Sequence, residues 1–385
     1  MDTPSSPEVS TTTHLEKHYA HGFTLEVGSC AIQGRRPYME DRRTIIEDLR
    51  DMMSQAGKEH SPNGAGERCS FFAVFDGHGG QLASTFASGY LHKNLVKSAH
   101  FPHDPIRALE EACEITDREF AEKYQSATSQ DGTTACMVLI MGQRLYVANV
   151  GDSRAVLCRK GKAVALSDDH KPDKPSEKKR IEDSGGVVKK GSFFNIPMVY
   201  QGDGMRGGLA VSRALGDTFY KDPKRPAMEW LVSAIPEIKE ESLQPGADEF
   251  FIVASDGFWD VFSNENAVLL TRELLQKKEL SLADVAQTLT AKAFSRESLD
   301  NITVVIVRFI SDGTMETSNE GAERADDEET DEMTVLVDEG GVVPKEDDED
   351  LSLDVDNEVI IREVSPSPES SAAADSTSTA AAEGS

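Results

Sequence analysis

At 385 residues the chain exceeds the usual size of one domain, and 38% hydrophobic against 28% charged residues is too polar for a chain that folds throughout. The formal charge of -28 excludes a protein built to hold nucleic-acid phosphates. That charge sits at one end: residues 311–385 carry 24 acids against 3 bases, net -21, which leaves only -7 for residues 1–310.

Residues 1–22 open polar and Ser/Thr-rich, without the apolar segment of a signal peptide, and read as a flexible lead-in. Asp2, where N-myristoylation needs glycine, predicts a chain without that anchor. Residues 23–310 read as one domain. Phe71–Phe75 predicts a short strand. Leu82, Phe86, Tyr90, Leu91 and Leu95 then recur at helical spacing. Asp104 followed by Pro105 predicts a second helix, with Ile106, Leu109, Cys113 and Phe120 on one face. Apolar runs Ala135–Met141, Leu145–Val150, Ala155–Cys158 and Ala163–Leu166 are separated by short turns, which predicts an antiparallel meander. Phe250–Ala254 and Ile302–Phe309 are further strands, and Ser281 with Asp284 predicts a capping box on a helix running towards Phe294. Helices and antiparallel strands in separate groups define an α+β layered domain.

Past residue 310 the acidic runs and Ser-Pro pairs cannot bury enough apolar surface to fold, so residues 311–385 read as a disordered acidic tail. Its apolar islands Val335-Leu336-Val337 and Val359-Ile360-Ile361 are either incidental or a motif for a tail-mediated protein partner, adding a strand to that partner's sheet. The five cysteines are scattered and odd in number, which predicts reduced thiols in the cytoplasm or nucleus. The longest apolar run, Ala135–Met141, is far too short to cross a bilayer, so a soluble protein without a membrane partner is expected.

Four acidic points share one pattern in which a short apolar strand meets an aspartate. Asp76 follows Phe72–Phe75, Asp152 follows Val147–Gly151, Asp256 follows Ile252–Ser255, and Asp300 precedes Ile302–Phe309. Any one of them is an ordinary turn residue. Four together favour a shared carboxylate cluster, which repels itself and needs cations. With oxygen donors and no nearby cysteine or paired histidine, Mg²⁺ or Mn²⁺ suits it better than zinc.

These residues lie in an ordered set of motifs. Arg36 and Met39-Glu40-Asp41, Val74-Phe75-Asp76-Gly77-His78-Gly79-Gly80, and Asp131-Gly132-Thr133-Thr134-Ala135 come first. Ala148–Ala155, Asp169-His170-Lys171-Pro172 and Leu209–Asp217 follow, then Ser255-Asp256-Gly257-Phe258-Trp259-Asp260-Val261 and Asp300-Asn301-Ile302-Thr303. The set resembles that of the metal-dependent protein phosphatase 2C family, in family order and over nearly all of residues 23–310. The resemblance implies a four-layer α-β-β-α sandwich with two central antiparallel sheets and metals at one end. It implies a monomer that hydrolyses phosphoserine and phosphothreonine in proteins, using two Mn²⁺ or Mg²⁺ ions and a metal-bridging water or hydroxide as nucleophile. In that reading Asp76 bridges the two metals, and the Gly77 carbonyl, Glu40, Asp256 and Asp300 complete their protein contacts. Asp152 and Asp260 match positions linked to a third, weaker ion. Arg36 matches the residue that binds the substrate phosphate, and His78 the general acid for the leaving oxygen. Alone, His78 would read as a turn histidine. Arg154 and Arg213 read as structural, paired with carboxylates inside the fold.

The segment between Gly185-Gly186 and Leu209 is longer than usual for the family and carries Phe193, Phe194 and Tyr200. It is either a surface insertion or a lid that selects peptide substrates. Two other classes are a pseudophosphatase and an acidic-tail scaffold, each using the fold as a binding module. Loss of metal ligands would mark the first, but Glu40, Asp76, Asp256 and Asp300 are all present.

Overall fold

The computed structural model describes residues 9–15, 23–58, 69–124, 130–191, 195–202 and 206–311, all within one unit of the chain, Met1–Ser318. The acidic tail with its apolar islands, and Phe193 and Phe194, lie outside the described residues. In chain order, β1 (Val9–Leu15), β2 (Phe23–Ile32) and β3 (Arg42–Ile46) precede α1 (Arg50–Gln55). Strands β4 (Cys69–Phe75) and β5 (Gly77–His78) lead into α2 (Leu82–Lys97) and α3 (Pro105–Lys123). Then come β6 (Gly132–Thr133), β7 (Ala135–Met141), β8 (Arg144–Val150), β9 (Arg154–Arg159) and β10 (Lys162–Ala165). They are followed by α4 (Pro175–Asp183), β11 (Gly186–Lys190), β12 (Pro197–Gln201), β13 (Arg206–Leu209) and β14 (Leu215–Gly216). The last elements are β15 (Glu237–Ser242), β16 (Asp248–Ala254), α5 (Asp256–Trp259), α6 (Asn264–Leu275), α7 (Leu282–Ser295) and β17 (Ile302–Ser311).

Two antiparallel sheets carry the fold, one ordered β1-β2-β17-β16-β9-β10 and the other β15-β8-β7-β4-β3. Strand periodicity assigns their faces. On β4, Phe72 and Val74 join Val138, Val147, Leu157, Phe251 and Val305 in a core drawn from both sheets. The alternate residues Phe71, Ala73 and Phe75 pack with Leu91, Leu95 and Leu109 of α2 and α3. On β16, Phe251 and Val253 face the shared core while Phe250, Ile252 and Ala254 pack with Val268, Val285 and Leu289 of α6 and α7. Strands covered on both faces read as unbroken apolar runs, which is why these segments stand out in the sequence.

The expected caps are present. Asp104 accepts from Arg107 N ahead of α3, and Ser281 with Asp284 forms the capping box of α7. Three expectations change. Val9–Leu15, placed in a flexible lead-in, pairs with β2 as an edge strand, and its consecutive threonines suit an extended backbone. Leu82, Tyr90 and Ile106, placed on apolar helical faces, are exposed. The meander is interrupted: β7 pairs with β8 and β9 with β10, but β8 and β9 belong to different sheets. Gly151, at φ 105°, turns the chain from one sheet to the other. That corner carries Asp152 to the end of the sandwich where the other strand-end acids stand.

All five cysteines are buried and unpaired, as expected. No helix among the described residues is long and apolar enough to cross a membrane.

Candidate active site

Both sheets deliver carboxylates to one end of the sandwich. Asp76 leaves β4 and is held by Thr134, whose N–H donates to Asp76 O at 2.8 Å while its Oγ1 accepts from Asp76 N at 3.1 Å. Gly77 and His78 form β5, paired with Thr133 and Gly132 of β6. Thr134 Oγ1 also meets Ser153 Oγ at 2.7 Å, which ties the Asp152 corner to the Asp76 turn. Asp256 opens α5 directly after β16, and Asp260 follows one helical turn later, its N–H donating to Asp256 O at 2.8 Å. Asp300 immediately precedes the Asn301 clamp: Asn301 Nδ2 donates to Gln33 O and Tyr38 O at 2.7 and 2.9 Å, and Oδ1 accepts from Glu40 N at 2.7 Å. The clamp binds the loop bearing Arg36 and Glu40 to the start of β17.

The structure therefore brings all nine sequence-predicted site residues to one place, and their electrostatics record the crowding. Burial pushes Asp76 well above the usual carboxylate range, with added repulsion from Asp41, Asp256, Asp300 and Asp152. Asp256 is raised in the same way, by burial and then by Asp152, Asp260 and Asp300 against relief from Lys171. Glu40 and Asp260 are also raised, chiefly by burial. Three cations answer this charge. Arg36, half exposed, donates to Asp300 Oδ2 at 2.5 Å. Lys171 Nζ reaches Asp152 Oδ2 at 2.6 Å. His78 Nε2 meets Asp217 Oδ2 at 2.7 Å. Burial alone would lower the His78 imidazole, but Asp217, with help from Asp152 and Glu40, raises it above its ordinary value.

Four contributors have no role in the sequence reading. Asp41 is buried between Asp76 and Asp300, accepts from Ser255 Oγ at 2.8 Å, and is pushed by burial up to about 6. Asp217 is buried, in a left-handed turn held by its N–H bond to Asp131 O, and faces His78 from 139 residues away. Lys171 and Asn301 complete the group. Each stands inside a recognised motif, so the signal was present, but only the fold supplies its partner. Arg154 and Arg213 are structural as expected: Arg154 grips Asp169 with bonds of 2.9 and 2.6 Å, and Arg213 donates to Glu177 at 3.1 and 2.7 Å. The long segment after Gly186 forms a three-stranded sheet, β11-β12-β13, in which Lys189 lies over the Tyr200 ring.

The donor set suits hard cations, being almost wholly carboxylate. Asp41 Oδ1 is buried without a hydrogen-bond partner among the described residues, a lone pair that a cation or its hydration shell would satisfy. Among the described residues no three His, Cys, Asp or Glu side chains converge into a ready-made cage.

Residues 25–302 match the model of the protein phosphatase 2C family, and the chain belongs to that family. It is 41% identical over 286 residues to Probable protein phosphatase 2C 55 of Oryza sativa subsp. japonica, covering 74% of this chain and 66% of that protein. To Probable protein phosphatase 2C 59 of Arabidopsis thaliana it is 44% identical over 247 residues, 64% of this chain and 72% of the relative. Its fold is similar to the crystal structure of serine-threonine phosphatase 2C from Toxoplasma gondii, with a TM-score of 0.63 at 24% identity over 78% of this chain and 99% of that one.

Proposed function

We propose that the chain is a metal-dependent protein phosphatase that hydrolyses phosphoserine and phosphothreonine monoesters. The observation that carries this reading is the grouping of Asp76, Asp256, Asp300 and Glu40 with an exposed guanidinium, Arg36, on one side and a carboxylate-held imidazole, His78, on the other. Mg²⁺ or Mn²⁺ held by Asp76, the Gly77 carbonyl, Glu40, Asp256 and Asp300, with a weaker ion at Asp152 and Asp260, would neutralise the phosphate dianion and lower the pKa of the attacking water. The protein's own groups do the rest. Arg36 presents planar paired donors that match phosphate oxygens, and among the described residues its side chain donates to Asp300 alone, which leaves other N–H groups to turn to substrate. His78, whose protonated form Asp217 favours, donates its proton to the departing serine or threonine oxygen. Asn301 fixes the Arg36 loop against β17, so guanidinium and carboxylates keep their spacing. Five buried free thiols support a reducing compartment, the cytoplasm or nucleus.

The test is hydrolysis of a phosphothreonine peptide by metal-stripped protein. Activity should be absent in EDTA and return with Mn²⁺ or Mg²⁺. Arg36→Ala should raise KM more than it lowers kcat, because its phosphate contact exists already in the ground state. Full activity in chelator would refute the metal assignment, and an unchanged KM the role of Arg36.

A further inference from the structure

Asp152, one of the two carboxylates that match the weaker third ion, already holds a cation of the chain's own. Lys171 Nζ stands 2.6 Å from Asp152 Oδ2 and 3.9 Å from Asp256 Oδ2. Asp152 is 4% exposed at its side chain and Lys171 40%, so the ammonium enters from the solvent side and caps a buried acid. Asp260, just past the end of α5, feels the same charge: burial raises its carboxyl, Lys171 draws it down, and Asp152 and Asp300 push it up.

The base of this lysine is pinned by bonds that do not involve its charge. His170 N donates to Gly151 O at 2.9 Å, and Gly151 N donates to His170 Nδ1 at 3.2 Å. Ser212 donates to His170 O through N and Oγ, at 3.0 and 2.8 Å. The backbone is thus fixed to the corner that carries Asp152, while the tip hangs on a flexible four-carbon stem. An arginine there would grip two carboxylate oxygens at once, whereas an ammonium is a point charge that can swing away.

We infer that Lys171 is a built-in competitor of the third divalent ion, its ammonium occupying Asp152 until that ion displaces it into solvent. The inference rests on the metal-dependent reading of the site and adds a reason for the third ion's weakness. A divalent cation and an ammonium a few ångströms apart repel too strongly to share these carboxylates. Binding there must therefore break the lysine contact first. The two tighter ions, held by Asp76, Glu40, Asp256 and Asp300, keep most of their donors whether the lysine is in or out.

Mn²⁺ titrated into metal-stripped protein, with the free ion counted by electron paramagnetic resonance, separates these cases. Wild type and Lys171→Met should both bind two tight ions, with affinities within about threefold of each other. The third, weaker class should tighten by about tenfold or more in Lys171→Met, the scale of removing a unit charge at this range. Lys171→Arg should keep it weak. Wild-type protein offers a second readout, immune to misfolding of a variant: acylation of Lys171 by an amine-reactive ester, followed by peptide mass spectrometry. It should accelerate as Mn²⁺ fills the weak class. If wild type binds no Mn²⁺, the metal reading falls and this inference with it. If two ions bind tightly but the third class is unchanged or weakened in Lys171→Met, or Lys171 acylation stays level or slows with Mn²⁺, the competitor role alone is overturned.

Discussion

Replacing Glu177 by glutamine should unfasten the structure behind the site by about 3 kcal/mol. Glu177 lies on α4 with 2% of its side chain exposed. Oε2 accepts from Arg213 Nε, Arg180 and Ser212 Oγ at 3.1, 3.0 and 2.9 Å, and Oε1 from Arg213 at 2.7 Å. Burial opposes its charge, yet Arg213 and Arg180 together hold the carboxyl down at about 2 against an ordinary 4.5. At 1.36 kcal/mol for each unit, that depression is worth about 3 kcal/mol at neutral pH. An isosteric amide leaves two buried guanidiniums short of a counter-charge, which falls in the same range. Because the folded-state pKa is the lower one, the stabilisation is whole above about pH 4.5 and fades as pH falls through about 2. Thermal unfolding of metal-stripped wild type and Glu177→Gln at pH 7 should differ by roughly 6–12 °C. Denaturant unfolding from pH 7 to pH 3 should then show the gap narrowing below about pH 4.5. A difference under about 1 kcal/mol at pH 7, or a gap that ignores pH, would refute the reasoning.

Asp76→Asn should abolish phosphatase activity yet leave the metal-free melting temperature equal to or above wild type, because it removes a carboxylate raised by burial and four acidic neighbours. A clear fall in that temperature would show that Asp76 is structural. His78→Gln should lower kcat more on phosphoserine than on p-nitrophenyl phosphate, whose leaving group needs little protonation; equal losses would argue against proton donation. Gly257→Ala would place a methyl 2.0 Å from the Asn301 carbonyl oxygen, where backbone cannot yield. It should destabilise by about 3 kcal/mol and weaken activity by moving the Asn301 clamp, and a wild-type melting temperature would contradict that.

Much of this protein is legible before folding because the information is local. An aspartate at the end of an apolar run, Asp104 before Pro105, and Ser281 three residues before Asp284 each state their structure within a few residues. Asp76, Asp152, Asp256 and Asp300 stand in patterns of that kind, while Arg36, Glu40, Gly77, His78 and Asp260 were expected beside them only through the family resemblance. What only the tertiary structure decided are pairings between distant segments. Nothing in Gly151-Asp152-Ser153 tells a hairpin turn from a corner, and the choice is made by β9 finding β16, about a hundred residues on. Likewise Asp217 becomes the partner of His78, and Lys171 that of Asp152, only because β14, β6 and β5 lie side by side and His170 bonds back to Gly151. An ion pair is a property of distance, and the strand order that sets these distances comes from burying both faces of two sheets at once.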